Sequence, residues 1–394
     1  VIFEGMCGHP AVNLAFSSRS FVHSMLRVEA SLASAQARMG VIPASAANAI
    51  ANACEHGIEL GQINPQDVAL KGAAHASVVV PLIPALKQAV RLRDDSAAKF
   101  VHLGATSQDI LDTALALALT PLVMQFRDDL QTCVDRLTAL ARTHASTPCL
   151  ARTLLQPAST TSFGWKCVQW LEPLRTCAAR LPSVAREALQ VQLAGASGTG
   201  LTLEPHRDAI VNHMADTLGL SAGPPWQTQR QGLLRLASEL GIAASALAKC
   251  AQDLLLLGQF ELQEVIETLP AGGGASSAMP HKRNPVGVVL VLANQQRMPG
   301  ALSTLFSCAP GELERSAGRW QAELATWPTL VGSALGAGSA LAAALSRGLS
   351  VQPEMMLRNL HAVAATVDPD SASHWFSETL AQALGARVLD ALAG

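Results

Sequence analysis

The chain contains no tyrosine, few aromatic residues and little charge. Among its 394 residues Phe and Trp make up the whole 4% aromatic content, and Asp, Glu, Lys and Arg together reach 15%, against roughly 25% in ordinary globular domains. Without tyrosine, any proton-transfer step must use another side chain. The shortage of charge means that much of the surface is neutral or is covered by other copies of the chain. Disorder is excluded, because 49% of the residues are apolar and the chain is long enough to bury a large core. The net charge is −2 and no block of Lys or Arg occurs, so neither nucleic acid nor an anionic membrane surface is an expected partner.

C-x-x-C pairs are also missing. Cys7, Cys54, Cys133, Cys149, Cys167, Cys177, Cys250 and Cys308 are scattered, and read as reduced, mostly buried thiols with no metal site. The first residues carry Glu4, His9 and Arg19 in place of the apolar core of a secretion signal, so a cytoplasmic location is expected. One long stretch, Leu324 to Ser346, lacks charge, but it holds Pro328, Gly332, Gly336 and Gly338 among many alanines. That composition suits a helix buried in a bundle or an oligomer better than a bilayer span.

Helix signals dominate, and no run alternates as a half-buried strand would. After Trp226, residues Leu233, Leu236, Leu240, Ala243, Leu247, Cys250, Leu254 and Leu257 keep a 3-4-3-4 spacing, the seam of long helices packed nearly side by side. A second long helix is predicted from Thr106-Ser107, with Asp109 in capping-box register and apolar residues continuing through Leu111, Leu115, Val123, Leu130, Val134 and Leu137. Pro121 should kink or interrupt it. Further helices are predicted near 20–39, 162–193, 284–305 and 327–346. Gly/Pro/Ser-rich joints fall near 195–200, 219–225, 272–285 and 348–353.

The most unusual segment is Gly272-Gly273-Gly274-Ala275-Ser276-Ser277-Ala278-Met279-Pro280-His281-Lys282-Arg283-Asn284-Pro285. A glycine-rich run is ordinarily a flexible surface loop with solvated charges. Here two hydroxyls follow the glycines, a cation stands six residues after Ser276, and a helix start comes next. Such a loop can close over an anion, with Lys282 and the helix N-terminus neutralising carboxylate charge.

Ser276–Pro285 resembles the signature of the fumarase/aspartase superfamily. Three further segments occur in that family's order: His102-Leu103-Gly104-Ala105-Thr106-Ser107-Gln108-Asp109 with Asp112-Thr113, then Arg152-Thr153-Leu154-Leu155-Gln156-Pro157, then Glu312–Glu323 with Glu314-Arg315-Ser316 and Trp320-Gln321-Ala322-Glu323. The last, together with Trp226–Arg230, looks like the cycloisomerase branch of the superfamily. The likeness covers roughly residues 10 to 350. It implies an all-α subunit in three parts: an N-terminal helical part (1–105), a central long-helix bundle (106–350) carrying the catalytic loop 272–285, and a short, reduced C-terminal part (351–394). It also implies a homotetramer with a multi-helix core and active sites shared between subunits, a small di- or tricarboxylate substrate, and no cofactor.

By the same resemblance, Ser276 moves the proton, and Lys282 with backbone N–H groups stabilises its alkoxide in a closed, dry site. Ser77, His102, Thr106, Ser107, Gln156, Arg230, Ser277, Met279, Asn284 and Arg315 are the expected substrate contacts. Amine-releasing relatives place histidine after the Arg-Thr pair, whereas Leu154 stands here and cannot protonate a leaving group. A departing amine needs an acid; a departing carboxylate, with a pKa near ~4, does not at neutral pH. Internal addition of a carboxylate to a double bond, giving a lactone, therefore fits best. A fumarate-releasing lyase and a non-catalytic scaffold are the alternatives, with His75, His102 and His281 as possible proton-transfer surrogates. Ala275 stands where the family usually has glycine, which stiffens the loop, and Ser77 lies near a position where relatives tend to have asparagine.

Overall fold

A computed structural model describes residues 2–393. The helices run α1 (Ile2–Cys7), α2 (Pro10–Ala15), α3 (Ser18–Arg38), α4 (Ala44–His56), α5 (Pro65–Gly72), α6 (Val79–Arg91), α7 (Ser107–Thr143), α8 (Phe163–Ala188), α9 (Arg207–Leu218), α10 (Gln231–Leu257), α11 (Val286–Cys308), α12 (Arg319–Arg347), α13 (Pro353–Ala364), α14 (Pro369–Trp375) and α15 (Thr379–Ala393). The fold is all-α, and its centre is the bundle of α7, α8, α10, α11 and α12, in which α11 lies along α12 and α7 along α8.

The predicted seam is the inner face of α10: all eight of its residues are 5% exposed or less. Each buried leucine there contributes about 1.5–3 kcal/mol, which outweighs any propensity difference. The charge-free stretch forms most of α12, and its glycines permit close helix approach. A Cβ on Gly336 would lie 2.5 Å from the Cys7 carbonyl oxygen and 2.6 Å from Asn294 Nδ2, and one on Gly338 2.9 Å from the Phe126 ring. By length and composition α7, α10 and α12 could each cross a membrane; the apolar windows of α7 and α12 are 78% and 67% buried in the bundle, but that of α10 only 44%.

Two expectations are corrected. Helix α7 is not interrupted at Pro121; its packing against α8 and α12 supports the turn whose backbone bond proline removes. Strands also exist. β1 (Pro148–Thr153) and β2 (Gln156–Ser162) form an antiparallel hairpin with a register shift between Leu150 and Arg152, and β3 (Val265–Glu267) pairs with β4 (Leu349–Val351). Neither pair alternates cleanly in burial, so the sequence carries no period-2 signal for them.

The apolar core separates into three clusters. The largest fills the bundle. The second joins α3, α4 and α6 to the start of α7 (Ile110, Leu111, Ala114) and to α9 (Ile210, Met214). A small third one holds Leu150, Leu360 and Phe376. The eight cysteines are unpaired, and seven are buried; burial pushes the thiol of Cys149 up to about 12 and that of Cys177 up to about 11, which makes them poor nucleophiles. Among the described residues no group of His, Cys, Asp or Glu is arranged to hold a metal ion.

Candidate active site

The N-terminus of α7 gathers four segments distant in sequence. Thr106 is its N-cap, and the Thr106 N–H donates to Asp109 Oδ2 at 3.0 Å, the back half of the expected capping box. The Thr106 hydroxyl also accepts from Arg315 Nη2 at 2.8 Å, and the same nitrogen donates to the Ala196 carbonyl at 3.4 Å. Arg315 also keeps a buried Nε–H with no protein acceptor. Ser107 is half-buried on the first turn beside them.

His102 precedes this turn in the left-handed region (φ 64°), and its Nδ1 lies 2.6 Å from Oε1 of Glu29, a buried carboxylate on α3. Burial alone would lower the His102 pKa, but the hydrogen bond and charge of Glu29, helped by Asp109, more than offset it and raise the pKa above the ordinary histidine value. The imidazolium therefore persists to higher pH than that of an unperturbed histidine.

Arg230 does not join this set. Its Nε and Nη2 bind Glu323, Nη1 binds Asp112 at 2.7 Å, and Nη2 also reaches Asp112 at 3.2 Å. The guanidinium stacks on Trp226 with 4.7 Å from Cζ to the ring centroid. Burial works against its charge, but the two carboxylates raise its pKa further. With its donors taken by protein acceptors, Arg230 is a framework residue rather than a substrate contact. Trp320 Nε1 completes the group by donating to Asp112 at 3.0 Å, so Arg230 ties the Trp226–Arg230 and Trp320–Glu323 motifs to α7.

Ser77 follows Ala76, itself left-handed (φ 48°), and its hydroxyl is buried without a partner. It lines an apolar groove of about 640 Å³ with Phe21, Leu111, Leu115, Gln321 and Leu324, which sets it against α7 and the start of α12.

The loop carrying Ser276 is pinched at its neck. Asn284 N–H and Nδ2 both donate to the Gly274 carbonyl, at 2.8 and 3.3 Å, and Ala275 bridges to Arg283. Gly274 needs its left-handed conformation here, and a Cβ on it would sit 2.5 Å from the Asn284 oxygen. The Ser276 hydroxyl oxygen accepts N–H bonds from Ala278 (3.3 Å) and Met279 (3.1 Å), two donors placed to stabilise negative charge on it. Ser277, Met279, His281 and Lys282 are exposed. One expectation is corrected: the first-turn amides of α11 do not await a ligand, because the Glu267 carboxylate accepts from Gly287 N–H at 3.0 Å and Val288 N–H at 3.3 Å.

Leu154 and Leu155 form the two-residue turn of the β1–β2 hairpin, and Thr153 pairs with Gln156 across it. Both leucines have positive φ (51° and 63°) and are 97% and 68% exposed. One step from the turn, Arg152 grips the buried Glu264 through both Nη atoms, at 3.1 and 2.6 Å. Gln156 is exposed at the tip.

Within the chain, then, His102, Thr106, Ser107 and Arg315 come together. Ser276, Ser277, Met279, Lys282 and Asn284 share the loop, and Gln156 stands on the hairpin. Among the described residues no hydrogen bond or ion pair joins these three groups. Sequence reasoning missed Glu29, Gln192 and Gln227, since no local spacing links them to the residues they hold.

A long-helix bundle with a hydroxyl-capped helix N-terminus and a serine held in a glycine-rich loop defines an enzyme of the fumarase/aspartase class. Residues 8–300 match the lyase family model, and the chain belongs to that family. It is 40% identical over 360 residues, 91% of this chain and 77% of the relative, to a 3-carboxy-cis,cis-muconate cycloisomerase of Pseudomonas aeruginosa. A nitrosuccinate lyase of Streptomyces davaonensis is 38% identical, with 89% of this chain and 74% of that one covered. The crystal structure of beta-carboxy-cis,cis-muconate cycloisomerase from Acinetobacter calcoaceticus superposes with a TM-score of 0.85 at 30% identity, covering 100% of this chain and 89% of that one.

Proposed function

We propose that the chain is a 3-carboxy-cis,cis-muconate cycloisomerase, which adds one substrate carboxylate internally to a double bond to give carboxymuconolactone. The observation that carries this reading is the hairpin turn, where Leu154 offers no proton. Ring closure, and its reverse in which a carboxylate departs, needs no acid at the oxygen.

In the lactonising direction a carboxylate oxygen bonds to one alkene carbon, and the electron pair moves to the neighbouring carbon as an enolate. The Ser276 hydroxyl gives that carbon its proton. The alkoxide left behind is stabilised by the N–H groups of Ala278 and Met279 and by the charge of Lys282, and solvent returns the proton. Thr106, Ser107, His102 and Arg315 grip the substrate carboxylates, with Gln156, Ser277, Met279, Asn284 and Ser77 as further contacts.

The assembly belongs to the same proposal: a homotetramer with sites shared between subunits, three-part subunits divided at 105 and 350, and a cytoplasmic location. Support comes from α10, whose apolar window is less than half buried, and from Ile242, Val289 and Phe306, which stand 55%, 45% and 52% exposed on α10 and α11. The second core cluster supports the N-terminal part, although the start of α7 and α9 pack into it, and the bundle cluster also takes in Val12, Met356 and Val388.

Purified protein should bleach the ultraviolet absorbance of 3-carboxy-cis,cis-muconate. Absence of bleaching, with fumarate released from nitrosuccinate or adenylosuccinate, overturns the reading in favour of a lyase. Nitrosuccinate is the pertinent second substrate, since nitrite is a weakly basic leaving group that Leu154 would also permit.

A further inference from the structure

We propose that Asp109 is a positioning residue that sets the grip of Thr106 and Arg315 on substrate, an inference resting on the reading that these two hold a substrate carboxylate. The Asp109 carboxylate is 1% exposed and accepts four N–H bonds. Oδ1 takes Gln192 Nε2 at 3.0 Å and the Ala194 N–H at 2.9 Å, while Oδ2 takes the Gly195 N–H at 2.9 Å and the Thr106 N–H at 3.0 Å. Four acceptor sites are what an ionised carboxylate offers. A helix cap alone would use one of them at the protein surface, so the full set points to a second task.

That task follows from what the four donors carry. Arg315 Nη2 rests on the Thr106 hydroxyl and on the carbonyl of Ala196, the residue after Gly195. Both of its acceptors therefore sit on segments that Asp109 clamps together. Gly195 is left-handed (φ 72°), which lets the successive N–H groups of Ala194 and Gly195 meet one carboxylate. The segment bearing Arg315 is tied to the same network: Gln192 Oε1 accepts the Trp226 N–H at 2.7 Å, and the next residue, Gln227, donates through Nε2 to the Glu314 carbonyl at 2.8 Å. Asp109 thus sets the seat of the guanidinium, and its network also reaches the backbone from which that guanidinium extends.

Asp109→Asn tests this, because an amide keeps the shape but turns an NH2 group towards two N–H donors. The expected result is a KM for 3-carboxy-cis,cis-muconate raised about 10–100-fold with kcat changed less than about threefold. Asp109→Glu, which keeps the charge, should recover part of the loss. Arg315→Lys should raise KM similarly, and the double variant should be little worse than Arg315→Lys alone, since coupled residues are not additive. A KM within about twofold of wild type, or additive effects in the double variant, overturns the proposal. If Asp109→Asn does not fold, Asp109→Glu and Gln192→Leu are judged by the same KM criterion.

Calorimetry with tricarballylate, a saturated tricarboxylate, separates this from the reaction assignment. Coupled losses of tricarballylate binding at 109 and 315 uphold the positioning role even if wild type leaves the muconate untouched. Turnover of the muconate with additive binding losses overturns the positioning role alone. No tricarballylate binding and no muconate turnover by wild type overturns both.

Discussion

In the proposed reaction Ser276 and His102 divide the chemistry between proton movement and charge. A serine hydroxyl is a weak acid in water, and in the proposed step the two loop N–H groups on its oxygen would make its alkoxide accessible. Ser276→Ala should abolish bleaching of the muconate while light scattering shows the same assembly as wild type; undiminished turnover would remove Ser276 from the proton path. His102 gives a pH signature. Its pKa is raised in the folded protein, so its bond to Glu29 stabilises the fold fully below the ordinary histidine value and that contribution is lost as pH climbs through the raised one. The same loss of charge weakens carboxylate binding, so KM should rise with pH through this range. In Glu29→Gln the lowering effect of burial prevails, and the KM rise should begin at lower pH. A pH–KM profile identical to wild type would contradict this account.

At the scale of elements, the bundle and the hairpin obey different constraints. Helix α12 approaches its neighbours through glycine, and Gly336→Val would drive side-chain atoms into the Cys7 carbonyl and Asn294. A loss of about 1–3 kcal/mol or more is expected in chemical denaturation. The hairpin holds two leucines where positive φ at both turn positions calls for Asn-Gly. Leu154→Asn with Leu155→Gly should relieve strain of about 1–3 kcal/mol per residue and raise the melting temperature, yet lower activity, because an apolar tip this exposed belongs in a contact. A melting temperature unchanged or lowered would show that the turn is not strained.

At the scale of the whole molecule, the three groups of site residues stay unconnected within one chain, and an assembly is what would bring them together. Mixing inactive Ser276→Ala chains with Arg315→Lys chains after reversible dissociation should restore a fraction of turnover with the wild-type KM, which neither variant has alone, since some sites would then combine intact contributions. No recovery in the mixed assemblies would indicate sites built within single subunits.

The long helices and the identity of the loop were legible in the sequence, while α4, α5, α6, α9 and the three C-terminal helices were not. The α10 seam, the start of α7 and the run around Ser276 are local patterns whose period or composition expresses their geometry. Local residues could not determine what a distant acceptor would do to a side chain. Arg230 looked free to bind substrate until Asp112 and Glu323 closed on it, and the α11 N-terminus looked vacant until Glu267 capped it. The hairpin was invisible because its strands are short and do not alternate in burial. Arg230 meets carboxylates 118 and 93 residues away and Gly287 one 20 residues away; a buried charge is too costly to leave unpaired, and only the tertiary structure decides which partners meet.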